Sequence, residues 1–262
     1  MSDSPEAEIE KSESDGREQF VAKTFWEHLE DLRWMLIKMV AAVAIAVVGC
    51  FVFAKEIFDY IKEPLRQVVG DDKVQDFLWS REVTGGFMMG MKLAFFAGIV
   101  AACPFLLWFL GQFLLPALTR RERRMVLPVF AFGVGLFLGG CALAYFGVLP
   151  LTLQFFIAYN DYLGISSRWE VTDYASFVSM LLLAFGIAFE LPLVVLALAK
   201  LGLVTSKFLR DKRPYVIVII FIVAAVLTPP DVVSQVMLGV PMVVLYELCI
   251  WIAWWMERRK RE

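Results

Sequence analysis

Histidine is almost missing from this chain: of 262 residues only His28 is one. That excludes a histidine dyad, and with it the commonest acid–base and zinc-ligand pairings. No glycine-rich phosphate loop and no Gly-x-Ser-x-Gly elbow occurs anywhere in the sequence. The four cysteines, Cys50, Cys103, Cys141 and Cys249, are scattered through apolar runs without metal-ligand spacing, so they read as small packing residues. Charge is scarce too, at 20% of residues, and no long polar stretch remains for a second domain. No enzymatic chemistry, metal, cofactor or nucleic-acid partner is expected.

What the chain has instead is hydrophobicity, 60% of its residues with a mean hydropathy of +0.68. An apolar run of about 20 residues spans the hydrocarbon of a bilayer as a helix. Six runs qualify as candidates: Trp34–Ala54, Gly85–Leu115, Met125–Leu149, Ala175–Ala199, Tyr215–Leu227 and Val232–Met256. The predicted fold class is all-α, a polytopic membrane protein with six transmembrane helices. Residues 1–19 are expected to form an acidic, disordered tail, 20–256 a single membrane domain, and 257–262 a basic cytoplasmic tail. The acidity of the N-terminal tail argues against a cleaved signal or transit peptide.

Basic residues set the orientation. With the N-terminus inside, the cytoplasmic segments hold 17 Lys and Arg against 6 in the outer loops. The positive-inside rule therefore predicts both termini in the cytoplasm. The fifth span is short, and Pro229 and Pro230 stop it before Asp231, a candidate N-cap for the sixth. Pro104 should kink the long second span. In the first outer loop Ile57, Phe58, Ile61 and Leu65 recur at helical spacing, predicting a short interfacial helix over Lys55–Leu65 that Pro64 limits. Aromatic residues such as Phe155, Phe156, Tyr159 and Tyr162 crowd the second outer loop.

Glu190 is the only charged group between Ala175 and Ala199. A central acid costs roughly 2.5–3.5 kcal/mol to insert, so it needs a protein or water environment. Three readings are open: a proton site, an anchor for a partner helix, or an acid satisfied inside the bundle by Thr or Ser hydroxyls. Lys92 is the other charge deep in a span, and Glu247 is expected to snorkel or pair with local bases. On the cytoplasmic side, Phe25, Leu29, Leu32 and Leu36 make an amphipathic lead-in to the first span, with Glu27, Glu30 and Asp31 opposite. Glu122 stands alone among Arg120, Arg121, Arg123 and Arg124. It is either a local ion-pair centre or a site for a ligand.

Five stretches in order resemble one family. They are Phe-Trp-Glu-His-Leu-Glu-Asp-Leu-Arg at 25–33, Pro-Ala-Leu-x-x-x-Glu-Arg-Arg at 116–124 and Phe-Gly-x-x-Phe-Glu-x-Pro at 185–192. Arg-Pro-Tyr-Val at 213–216 and Leu-Thr-Pro-Pro-Asp-Val-x-Ser-Gln at 227–235 complete the set. Over about residues 24 to 256 the chain resembles TatC, the polytopic subunit of the twin-arginine translocase. The resemblance implies binding of twin-arginine signal peptides at the cytoplasmic face and export of folded proteins by the proton-motive force. The implied location is a bacterial or archaeal cytoplasmic membrane.

By the same resemblance, Glu122 falls on the family's signal-contacting glutamate and Asp31 on the glutamate of the N-terminal signature, one methylene shorter here. Leu29 and Arg33 belong to that signature, and Phe113 matches an aromatic before the loop. Pro64, Tyr145, Glu190, Pro229, Pro230, Asp231 and Gln235 also fall on family positions. Implied partners are TatA- and TatB-type single-span subunits, the lipid bilayer and further copies of the chain, with Glu190 as the partner-helix anchor. The chemistry agrees, because two adjacent guanidinium forks need two separated carboxylates. The competing reading is a proton-coupled carrier of small solutes using Glu190, which calls for paired broken helices.

Overall fold

The computed structural model describes residues 25–71, 73–114, 126–200, 204–227 and 232–259. Helix α1 (Phe25–Val52) carries the amphipathic lead-in straight into the first span without a break. A tight turn leads to α2 (Ala54–Val69), followed by the single turn α3 (Val74–Phe77) and the two-residue strand β1 (Leu78–Trp79). Then come α4 (Gly85–Leu114) and α5 (Val126–Leu143). A π-helical turn over Ala144–Val148 joins α5 to α6 (Leu149–Tyr162). After β2 (Trp169–Glu170) the chain forms α7 (Val171–Phe189), α8 (Leu191–Lys200) and the short α9 (Ser206–Asp211). Helices α10 (Arg213–Leu227) and α11 (Val232–Arg259) close the fold.

Among the described residues the architecture is all-α apart from one parallel pairing, Leu78 with Trp169 and Trp79 with Glu170. By length and composition, five helical runs among the described residues can cross a membrane: Leu29–Val52, Gly85–Phe113, Phe130–Tyr162, Val171–Ala199 and Val232–Arg258. A sixth apolar helix, Arg213–Val226, is shorter. At 1.5 Å per residue it reaches only about 20 Å, against about 30 Å of hydrocarbon.

Backbone approach sets the helix pairs. A Cβ on Gly98 of α4 would sit 2.8 Å from the backbone of Val47 on α1, and one on Gly140 of α5 would sit 2.6 Å from the Phe185 carbonyl of α7. Small residues at such crossings let helices pack by van der Waals contact where no hydrophobic drive operates between them. The shared core gathers Leu93, Leu149, Leu153, Val178, Leu181 and Phe185, and continues through Leu238 and Tyr246.

Three local expectations need correction. Helix α2 does not stop at Leu65, just past Pro64, but runs four residues further, to Val69. Residues 149–162 are helix rather than loop, so Phe155, Phe156, Tyr159 and Tyr162 project from the extended third run. The π turn makes that continuation possible. The Leu149 amide reaches back five residues to the Ala144 carbonyl, and Pro150, which has no amide to offer, starts the next turn. Lastly, the fourth predicted span is two helices, α7 and α8, broken at Glu190. Pro104 lies within α4, which is helical throughout.

The interfacial helix is as amphipathic as its spacing predicts. Ile61, Pro64 and Leu65 are buried, Ile57 and Phe58 pack beside them, and charged groups line the other face. There Lys62 sits 2.7 Å from Asp59, and its hydrogen bond and charge hold the Asp59 carboxyl below the usual carboxylate range.

Candidate functional site

Two ends and one middle of the bundle carry the residues singled out by sequence. At the first end stand Leu29, Asp31 and Arg33, in the opening turns of α1, with Leu29 and Arg33 exposed. Helices α1 and α4 run antiparallel, as Phe51 meets Phe87 (6.1 Å between ring centres) and Val47 meets Gly98. Carried along both helices, that register brings the half-buried Phe113 level with Leu29 and Asp31. Glu122 lies outside the described residues, on the segment leaving the end of α4 eight residues beyond Leu114. Pro229, Pro230 and Asp231 also lie outside them, as does the acidic tail of residues 1–19. The predicted basic tail is helical at its start, because α11 runs to Arg259.

At the opposite end, Pro64 and Tyr145 belong to one arrangement. Proline has no amide to give the carbonyl four residues earlier, which is that of Tyr60. Tyr145 Oη donates to that carbonyl oxygen at 2.8 Å, and its ring stacks on the Tyr60 ring with 4.6 Å between centres. The next carbonyl, of Ile61, accepts from Tyr174 Oη at 2.8 Å. Two phenols, from the π turn and from α7, thus bond the carbonyls beside the proline and fasten α2 over the helices. Tyr174 is a residue that sequence reasoning missed; a tyrosine among apolar neighbours signals a tethered hydroxyl but not its target.

In the middle, Glu190 occupies the break between α7 and α8. Its two carboxylate oxygens are buried and have no hydrogen-bond partner among the described residues. They face α5, since a Cβ on Gly133 would come within 3.4 Å of Glu190 Oε2 and of Leu107 Cδ1. The reading of an acid satisfied by Thr or Ser hydroxyls therefore finds no such hydroxyl among the described residues. An unmet buried acceptor is costly, and the bundle carries that cost at this position.

Several other polar groups hold helices together. Lys92 Nζ bonds Ser176 Oγ at 3.1 Å, linking α4 to α7. Gln235 Nε2 donates to the Phe221 carbonyl at 3.1 Å, fixing the α10–α11 hairpin. Glu247 pairs with Arg213 across the same hairpin, as expected of a local base. Sequence reasoning also missed Glu257, which accepts from the Ser206 amide (2.6 Å) and hydroxyl (2.5 Å) at the start of α9, and Tyr246, which donates to the Leu209 carbonyl at its end. No group of three or more potential ligands for a metal occurs among the described residues.

Comparison with known proteins gives one answer. The family model for the Sec-independent protein translocase protein (TatC) matches residues 27–241. The chain is 46% identical to TatC of Akkermansia muciniphila over 175 residues, 66% of this chain but only half the length of that protein. It is 38% identical to TatC of Helicobacter pylori strain J99 over 226 residues, which are 86% of this chain and 87% of the relative. Two crystal structures of the twin-arginine translocase receptor TatC superpose with TM-scores of 0.76 and 0.78, at 34% and 35% identity. Each covers 86% of this chain, over 97% and 99% of its own length respectively. A match of this extent in sequence and in fold shows that the chain belongs to the TatC family of Sec-independent protein translocase proteins.

Proposed function

We propose that this chain is the receptor and core subunit of a twin-arginine translocase, capturing the paired arginines of a signal peptide at the end of the bundle where α1 begins. Family membership makes it a non-catalytic translocase subunit in the membrane. The observation that carries the peptide reading is the antiparallel α1–α4 pair. It sets Asp31 level with Phe113, at the end from which the segment bearing Glu122 departs. A carboxylate at Asp31 and a second at Glu122 would match two adjacent guanidinium forks, each able to bind bidentately. Phe113 offers an apolar surface for the residues that follow the arginines.

In this reading α10 is a sixth, short crossing, both termini are cytoplasmic, and the basic residues of the cytoplasmic loops and termini hold that orientation. Glu190, buried and unmet, receives a polar group from the single transmembrane helix of a TatA- or TatB-type partner. Further copies of the chain join the complex, and the proton-motive force drives export.

The test is equilibrium binding of a twin-arginine peptide to the purified chain in nanodiscs, with a Lys-Lys peptide as control. Arg-Arg peptide should bind at least roughly tenfold more tightly, the worth of one charge-assisted bidentate pair. Glu122→Ala should abolish the difference and Asp31→Ala should reduce it. Equal binding of both peptides by the unaltered chain would end the proposal.

A further inference from the structure

At the end of the bundle away from Leu29 and Phe113, a recess of about 400 Å³ opens beside the β1–β2 pairing. That volume is within the range of small-ligand sites. Its rim and its depth differ in character. Arg168 and Asp173 are both exposed at the rim, and neither side chain has a hydrogen bond or ion pair among the described residues. Opposite charges thus face one recess without neutralising each other. Glu170, the third charged residue there, is already engaged as the N-cap of α7, accepting from the Thr172 amide (2.8 Å), the Thr172 hydroxyl (2.9 Å) and the Asp173 amide (3.0 Å).

Below the charges the lining is apolar. Phe177 lies four residues into α7 from Asp173, about 6 Å deeper along the helix. It meets Phe156 edge-on, with 6.3 Å between ring centres, and the buried Leu153 lies one turn further down α6. Trp79 and Trp169, held in place by the strand pairing, flank the opening. The level is fixed by the chain itself, because the apolar run of α7 starts at Val171, between Arg168 and Asp173. Tryptophan and charge at the start of an apolar span mark the headgroup layer.

We propose that this recess binds one phospholipid whose headgroup carries both a phosphate and a primary ammonium, as in phosphatidylethanolamine. The phosphate pairs with Arg168, the ammonium with Asp173, and the first acyl carbons lie on Phe177, Phe156 and Leu153. A headgroup with only negative charge leaves Asp173 repelling it. A quaternary ammonium has no hydrogen to donate to the Asp173 carboxylate.

Native mass spectrometry of the full chain tests this, with an equimolar mixture of phosphatidylethanolamine, phosphatidylcholine and phosphatidylglycerol of identical chains. The unaltered protein should retain one phosphatidylethanolamine in preference to the others by roughly tenfold, the effect of one charge-assisted hydrogen bond. Asp173→Asn should remove the preference, and Arg168→Gln should reduce retention of all three lipids. Both positions are exposed, and unchanged melting of each variant in lipid-free detergent separates a lost ligand from a lost fold. Equal retention of the three lipids by the unaltered chain, or a preference that survives both substitutions, overturns the assignment. Displacement of the retained lipid by soluble phosphorylethanolamine at equal concentration also overturns it, by moving the source from membrane to solution.

Discussion

Tyr145 donates a hydrogen bond from its hydroxyl to the carbonyl of Tyr60, the carbonyl that Pro64 leaves without an amide four residues on. The proline creates the vacancy and the phenol fills it from 85 residues away. Tyr145→Phe keeps the ring stack but strands a carbonyl, which should cost about 1–3 kcal/mol and lower the melting temperature in detergent. Pro64→Ala restores an amide in helix, so the double variant should melt closer to the parent than Tyr145→Phe does. A double-mutant cycle reads this directly as a coupling energy between the two sites.

Glu190 should oppose stability and function to each other. Glu190→Leu removes two buried oxygens that have no partner among the described residues, replacing them with an apolar side chain. The isolated chain should gain roughly 1–3 kcal/mol, seen as a higher melting temperature. Co-purification of single-span partner subunits should fall in the same variant. Glu190→Gln, which keeps polar atoms in place, should retain more of the partner than Glu190→Leu.

The glycines divide into two kinds. Gly98→Ala sets a methyl group against the Val47 backbone, which cannot turn aside, and should destabilise by about 1–3 kcal/mol. Gly135 has nothing within 4 Å of where a Cβ would be. Gly135→Ala should therefore be neutral, or stabilise by about 0.5–1 kcal/mol through helix propensity. Parallel thermal melts of the two variants make the comparison.

Glu257→Ala should loosen α9. The Ser206 amide and hydroxyl both lose their acceptor, while Tyr246 still holds the Leu209 carbonyl. Amide exchange over Ser206–Leu209 should speed up by roughly tenfold or more, as for loss of a hydrogen bond to a charged group. Exchange in the centre of α11 should not change.

Much of this was legible in the residues. Ile57, Phe58, Ile61 and Leu65 declared the buried face of α2, and Glu190 declared a polar site in the membrane. Pro64 misled, because the rule that proline ends a helix counts only donors along the chain, and Tyr145 and Tyr174 donate from elsewhere. Residues 149–162 misled for another reason. Their aromatic rings suit a membrane boundary whether the backbone is loop or helix, and the five-residue reach from Leu149 to Ala144 leaves no periodic mark. The partners of Lys92 and Glu257 lie 84 and 51 residues away, beyond any local pattern.

Where Gly98 rides on Val47 and Gly140 on Phe185, peptide planes of neighbouring helices nearly touch. Such seams behave as welds: sliding either partner by one residue would drive a side chain into a main chain. Rearrangements of the bundle should therefore carry α1 with α4 and α5 with α7 as units.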